Sequence, residues 1–162
     1  MRFITPDYKF SLEIDSKIVE QLLEICVSAK TSETGGILIG QYSAGLDNAI
    51  VTTITPPPPD SKAGKTWFDR GVKGLHEILS HSWNNLGTYY LGEWHFHPFS
   101  APTPSSQDKR QMKQIANNKK YNCPEPILLI IGGNPRLHSP EIQTFVFPKG
   151  DCVSMRQITA LE

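Results

Sequence analysis

Two imidazoles and a carboxylate stand within fourteen residues of one another: His95 and His97 in Gly92-Glu93-Trp94-His95-Phe96-His97-Pro98, and Asp108 after Ser105-Ser106-Gln107. On a strand, residues two apart face the same side with Cα atoms roughly 6.5 to 7 Å apart. Both histidines can then reach one ion while Trp94 and Phe96 turn to the core. Asp108 falls in the first turn of an expected helix, about one turn before Met112 and in line with Ile115, so its carboxylate should point toward the sheet. Nitrogen and oxygen donors with no thiolate, in a set that leaves a fourth position open, suit a catalytic zinc, which lowers the pKa of water to about 7. Zinc is inferred here from donor type, and other divalent ions could bind the same groups.

Other residues invite chemistry and have plainer readings beside it. Ser105 opens the helix three residues before Asp108, which is ordinary capping chemistry, with Ser106 the substitute if the helix starts one residue later. His76-Glu77-Ile78-Leu79-Ser80-His81 lacks the four-residue spacing of a zincin motif, so it reads as a solvent-facing helix surface. Lys109, Arg110, Lys113, Lys119 and Lys120 form a basic, solvated face. Trp67 and Phe68 are either core anchors or a wall of a substrate groove.

The elements that must hold these groups follow from periodicity. Tyr8, Phe10, Leu12 and Ile14 alternate with polar residues and predict a half-buried strand that opens the fold. Residues 16–30 carry an apolar stripe at helical spacing. Residues 35–40 and 49–54 read as a hairpin around Gly45, Asp47 and Asn48. Four prolines, 56–59, followed by polar residues to 65, predict an exposed and partly stiff loop. A second helix is expected over about 72–83, a strand over 89–97 ended by Pro98, and a third helix over about 105–119. Residues 127–131 are a continuous apolar run suited to a central strand, and 142–147 read as a further strand. The order is α/β, with a curved mixed sheet flanked by helices, and no internal repeat or linker divides it.

A chain of 162 residues with 38% apolar and 20% charged residues has the size of one domain, here 1–162. Sixteen basic side chains balance sixteen acidic ones, so overall charge offers no attraction to nucleic acid or to a membrane surface. Cys26, Cys123 and Cys152 form no Cys-x-x-Cys pair, which argues against a disulfide framework. Reduced thiols, no apolar stretch of signal length and no membrane span together predict a soluble protein of the cytoplasm.

The spacing His-x-His, seven residues, Ser, two residues, Asp resembles the motif of the JAMM metalloproteases, also called the JAB, MPN or Mov34 family. Glu33, in Ser32-Glu33-Thr34-Gly35-Gly36-Ile37-Leu38-Ile39-Gly40, is similar to the upstream glutamate of that family. The resemblance runs from the first strand to about Phe147 and implies its cytidine-deaminase-like fold. It further implies one zinc on His95, His97 and Asp108, Glu33 as general base and later proton donor, and Ser105 as donor to the oxyanion. Chain length, the Glu-Trp-His-Phe-His-Pro run and the proline-rich turn resemble a small bacterial branch found with anti-phage systems carrying ubiquitin-conjugation-like enzymes. The implied activity is deubiquitinase-like: hydrolysis of the bond after the C-terminus of a ubiquitin-like or otherwise conjugated protein, its extended tail bound by strand addition beside the loop near Trp67 and Phe68. A non-catalytic scaffold on the same fold and a sulfur-carrier-processing hydrolase are the alternatives. Oligomeric state is not legible.

Overall fold

The apolar strands of this chain build a sheet that closes on itself. The computed structural model describes residues 1–134, 136 and 140–159. The other positions of the expected 1–162 domain lie outside the described residues. In chain order the elements are β1 (Arg2–Ile4), β2 (Ser11–Ile14), α1 (Ser16–Ala29), β3 (Thr34–Tyr42), β4 (Asn48–Ile54), β5 (Lys62–Ala63) and β6 (Phe68–Asp69). They continue with α2 (Leu75–Leu86), β7 (Tyr89–Pro98), α3 (Ser106–Asn117), β8 (Ile127–Gly133), β9 (Glu141–Val146) and β10 (Val153–Ile158). The strands run β1-β10-β9-β8-β7-β3-β4-β2 around a closed barrel, with β5 and β6 a separate hairpin. β2 with β4 and β7 with β8 are parallel pairs, the others antiparallel. The curved mixed sheet expected from the sequence is present.

Alternation along the strands sorts the core into two layers. On one face α1 buries Ile18, Leu22 and Cys26 against Phe3, Leu12, Leu38, Trp94, Phe96 and Leu129 among others. On the other face α2 and α3 contribute Leu75, Met112 and Ile115 against Ile37, Tyr90, Leu128 and Ile130. Trp94 is fixed further, its indole N–H donating to the Thr55 carbonyl at 3.0 Å. His95 and His97, one residue out of phase with Trp94 and Phe96, therefore lie on the α3 side of β7.

Local turn chemistry moves three boundaries. The expected strand from Tyr8 begins only at Ser11, because Thr5 and Asp7 close a turn: Tyr8 N–H donates to Thr5 O at 3.0 Å and Thr5 Oγ1 to Asp7 at 2.7 Å. Tyr8 takes φ 60° and is 68% exposed, so its place in the alternation was coincidental. The fold opens instead with β1, which pairs β2 and β10 and closes the barrel. The second helix starts and ends later than its apolar spacing implies, because Gly74 (φ 84°) and Gly87 (φ 65°) sit left-handed at its two ends.

The loop after the four prolines is exposed, as expected, and is tied at its base. Asp60 accepts from the backbone N–H groups of Val72 and Lys73, both at 3.0 Å, and Ser61 Oγ from that of Gly71 at 2.9 Å. Among the described residues no helix is long and apolar enough to cross a membrane.

Candidate metal centre

Three elements meet at the C-terminal half of β7. β3 runs beside it with Gly35 opposite His95 and Gly36 opposite Trp94. A Cβ on Gly35 would lie 2.4 Å from Trp94 O, 2.8 Å from the Phe68 ring and 3.0 Å from His95 Cδ2, so only glycine lets these groups close together. On the other side β8 places Gly132 opposite His97. A Cβ on Gly132 would stand 2.6 Å from Ser100 O and Pro102 N, so its absence lets the proline-rich turn fold back and deliver α3. Paired bonds between Phe99, Ser100 and Gly133 lock that turn.

α3 begins with a capping box. Ser105 Oγ accepts from the Asp108 N–H at 3.1 Å, and the Asp108 carboxylate accepts from the Ser105 N–H at 2.7 Å. The cap thus orients Asp108 as well as starting the helix. Its other oxygen is 2.9 Å from His95 Nδ1, and its capped oxygen is 3.6 Å from His97 Nε2. His95, His97 and Asp108 are all buried and each brings a ligand atom within 4.8 Å of the others. His97 Nε2 is buried with no hydrogen-bond partner among the described residues. A buried nitrogen lone pair left unpaired beside a carboxylate and a second imidazole is costly unless something electrophilic fills the gap. The donor set therefore fits a divalent metal of the zinc type.

Electrostatics in the metal-free site agree with the geometry. Burial opposes protonation of His95, but hydrogen bonds to Asp108 and Glu93 outweigh it and lift its pKa to about 9. Burial likewise opposes ionisation of Asp108, yet the bond and charge of His95 and the bonds from Ser105 hold it at about 2. His97 is lowered, first by burial. Glu33 sits half-buried just before β3, its backbone N–H donating to Gly64 O of the hairpin at 2.8 Å. Its carboxyl is raised to about 7 by burial and by the nearby Asp108 charge, with His95 pulling the other way.

Of the aromatic pair, Phe68 is buried and meets the His95 ring edge to face at 5.6 Å, whereas Trp67 is 44% exposed and covers Gly64. His76, His81 and the basic side chains of α3 face solvent. Sequence reasoning missed Glu93, Arg70 and Gln111, which lie directly behind His95. Glu93 was legible in principle, since an acid two residues before His95 shares the histidines' face of a strand whose opposite face is core.

A closed mixed sheet with α1 on one face, and a buried His-x-His facing a helix-capping aspartate on the other, defines a JAB-type α/β domain with a potential metal centre. The chain belongs to the family described as prokaryotic homologs of the JAB domain, whose match covers residues 15–147. Over 150 residues it is 43% identical to a protein of Enterobacter hormaechei subsp. hoffmannii named CD-NTase/cGAS isopeptidase, covering 92% of this chain and 82% of that one. A protein of Escherichia coli with the same name is 31% identical over 78% of this chain and 79% of its own. The fold is shared with a Desulfitobacterium hafniense protein of known solution structure, at TM-score 0.64, 24% identity and 91% coverage of both chains.

Proposed function

We propose that this chain is a zinc-dependent isopeptidase that removes a protein joined through its C-terminus to a target amine, with the whole chain acting as one JAB domain. The observation that carries the reading is the convergence of His95, His97 and Asp108 around the unpartnered His97 Nε2, with Glu33 beside them. The relatives' name supports the isopeptide bond as the target and a CD-NTase as the conjugated protein. With that substrate the setting is bacterial antiviral defence in the cytoplasm.

Zinc held by His95, His97 and Asp108 would supply Lewis acidity that makes water nucleophilic near neutral pH. Glu33, its carboxyl raised to about 7 by burial, takes the proton of the attacking water as the carboxylate and delivers it to the leaving amine. Ser105 Oγ already accepts from the backbone of Asp108, so its own proton is free to be donated to the oxyanion. The β5–β6 hairpin offers a short strand edge to an extended C-terminal tail, with Phe68 closing the wall toward His95 and Trp67 its outer rim.

The test is hydrolysis of a CD-NTase joined through its C-terminus to a lysine side chain, followed by intact-mass spectrometry. Cleavage after the C-terminal residue that is lost on chelation and in Glu33→Ala is expected. Turnover that survives in Glu33→Ala, or no cleavage by zinc-loaded wild type, overturns the proposal.

A further inference from the structure

Behind His95, on the side away from Asp108, lies a fully buried carboxylate that the proposed reaction does not use. Glu93 is 0% exposed, and both of its oxygens are occupied. Oε1 accepts from Arg70 Nε at 2.8 Å and lies 3.4 Å from the Tyr90 hydroxyl. Oε2 accepts from Gln111 Nε2 at 2.7 Å and faces His95 Nε2 at 3.3 Å. Arg70, its side chain 4% exposed, is held in turn by Gly71 O at 2.8 Å and the Tyr121 hydroxyl at 3.3 Å. Three separate segments therefore fix one carboxylate: the strand end after β6, β7 itself, and α3.

A buried ion pair of this kind is an expensive way to stabilise a fold, since desolvation cancels most of the attraction and apolar packing of equal volume would serve as well. Its position gives it another use. The two ring nitrogens of His95 point to different carboxylates, Nδ1 to Asp108 and Nε2 to Glu93. A neutral imidazole has one N–H and one lone pair, and only the lone pair can ligate. An anion fixed at Nε2 keeps a proton there, so the proton that a metal would displace is the one on Nδ1, on the Asp108 side.

We propose that Glu93 is a positioning residue for the metal centre: clamped by Arg70 and Gln111, it fixes the tautomer and ring orientation of His95 and so raises the affinity of the His95, His97 and Asp108 set for its metal. The inference rests on the zinc reading of that set. Arg70 directly follows β6, so the clamp also joins the base of the proposed tail-binding hairpin to a metal ligand.

The experiment is zinc titration of the full chain, stripped of metal, against a chromophoric chelator, together with ring 15N shifts of His95 and His97 in the zinc-loaded protein. Outer carboxylates of this type are typically worth about 10- to 100-fold in metal affinity. Glu93→Gln should weaken zinc by that factor and move the His95 ring nitrogens while leaving those of His97 in place. Should Glu93→Gln fail to fold, Gln111→Ala, on the half-exposed side of the cluster, should still move the His95 signals through the shared oxygen. Tight zinc in wild type with unchanged affinity and unchanged His95 shifts in the variants overturns the positioning role alone. Failure of wild type to bind zinc overturns the zinc reading with it.

Discussion

Glu33 meets two opposed demands, and the opposition can be measured. As a general base it must lose its proton, yet burial and the Asp108 charge raise its carboxyl from 4.5 to about 7. The catalytic consequence is an acid limb in kcat/KM, falling as pH drops through a midpoint at or below 7, because a bound dication nearby favours the carboxylate. A profile flat from pH 5 to 8 would remove Glu33 from the proton transfer. The stability consequence has a definite sign. A carboxyl whose folded pKa is raised contributes fully below its unfolded value of 4.5 and loses that contribution as pH rises through about 7. Metal-free Glu33→Gln should therefore unfold at higher denaturant than wild type at pH 8, by roughly 1 to 2 kcal/mol after discounting for solvent screening, and show no such advantage at pH 4. The three donors of the candidate metal centre could be read as a group because strand geometry makes His-x-His meaningful at short range. Glu93 was passed over because its partners Arg70 and Gln111 come from distant segments, and no local spacing announces them.

Among the elements, the β5–β6 hairpin links the proposed tail contact to the proposed chemistry. Gly64 O accepts from Glu33, Phe68 packs on His95, and Gln107 of α3 donates to Phe68 O at 3.1 Å, so one short hairpin touches the proposed base, a proposed ligand and the helix that carries Asp108. Replacing residues 58–66 by a short Gly-Ser linker removes the strand edge on which an extended tail would lie. The loss of one or two intermolecular backbone bonds, each worth about 1 kcal/mol, should raise KM for a protein conjugate about tenfold. Steady-state kinetics on a conjugate decide it, and unchanged constants would place the tail elsewhere. Most helices and strands could be read from periodicity, but this hairpin could not, since two-residue strands in a polar loop carry no repeat. β1 and β10 escaped for a related reason: three residues at one end, and a strand with a single buried residue at the other, become strands by pairing with each other and with β2 and β9.

Closure of the barrel decides how the whole molecule would respond to the proposed metal. With β1 bonded to both β2 and β10, every strand of the main sheet has two neighbours, and apolar residues fill both of its faces. A domain of this size with such a core has no need of a metal staple to fold. Zinc should act as a ligand of the native state. At a free concentration a hundred times its dissociation constant it contributes about 2.7 kcal/mol. For a chain of this length each kcal/mol moves the midpoint by roughly 2–4 °C, so zinc-loaded protein should melt about 5–10 °C above the chelated form. In His97→Ala the difference should vanish while the metal-free melting point stays near that of metal-free wild type or rises, because the substitution removes a buried nitrogen with no hydrogen-bond partner among the described residues. Far-UV circular dichroism during thermal melts reads both quantities. Loss of the folded signal on chelation would mean that the centre holds the fold together. Coincident melts with and without zinc would mean that the three side chains hold no metal.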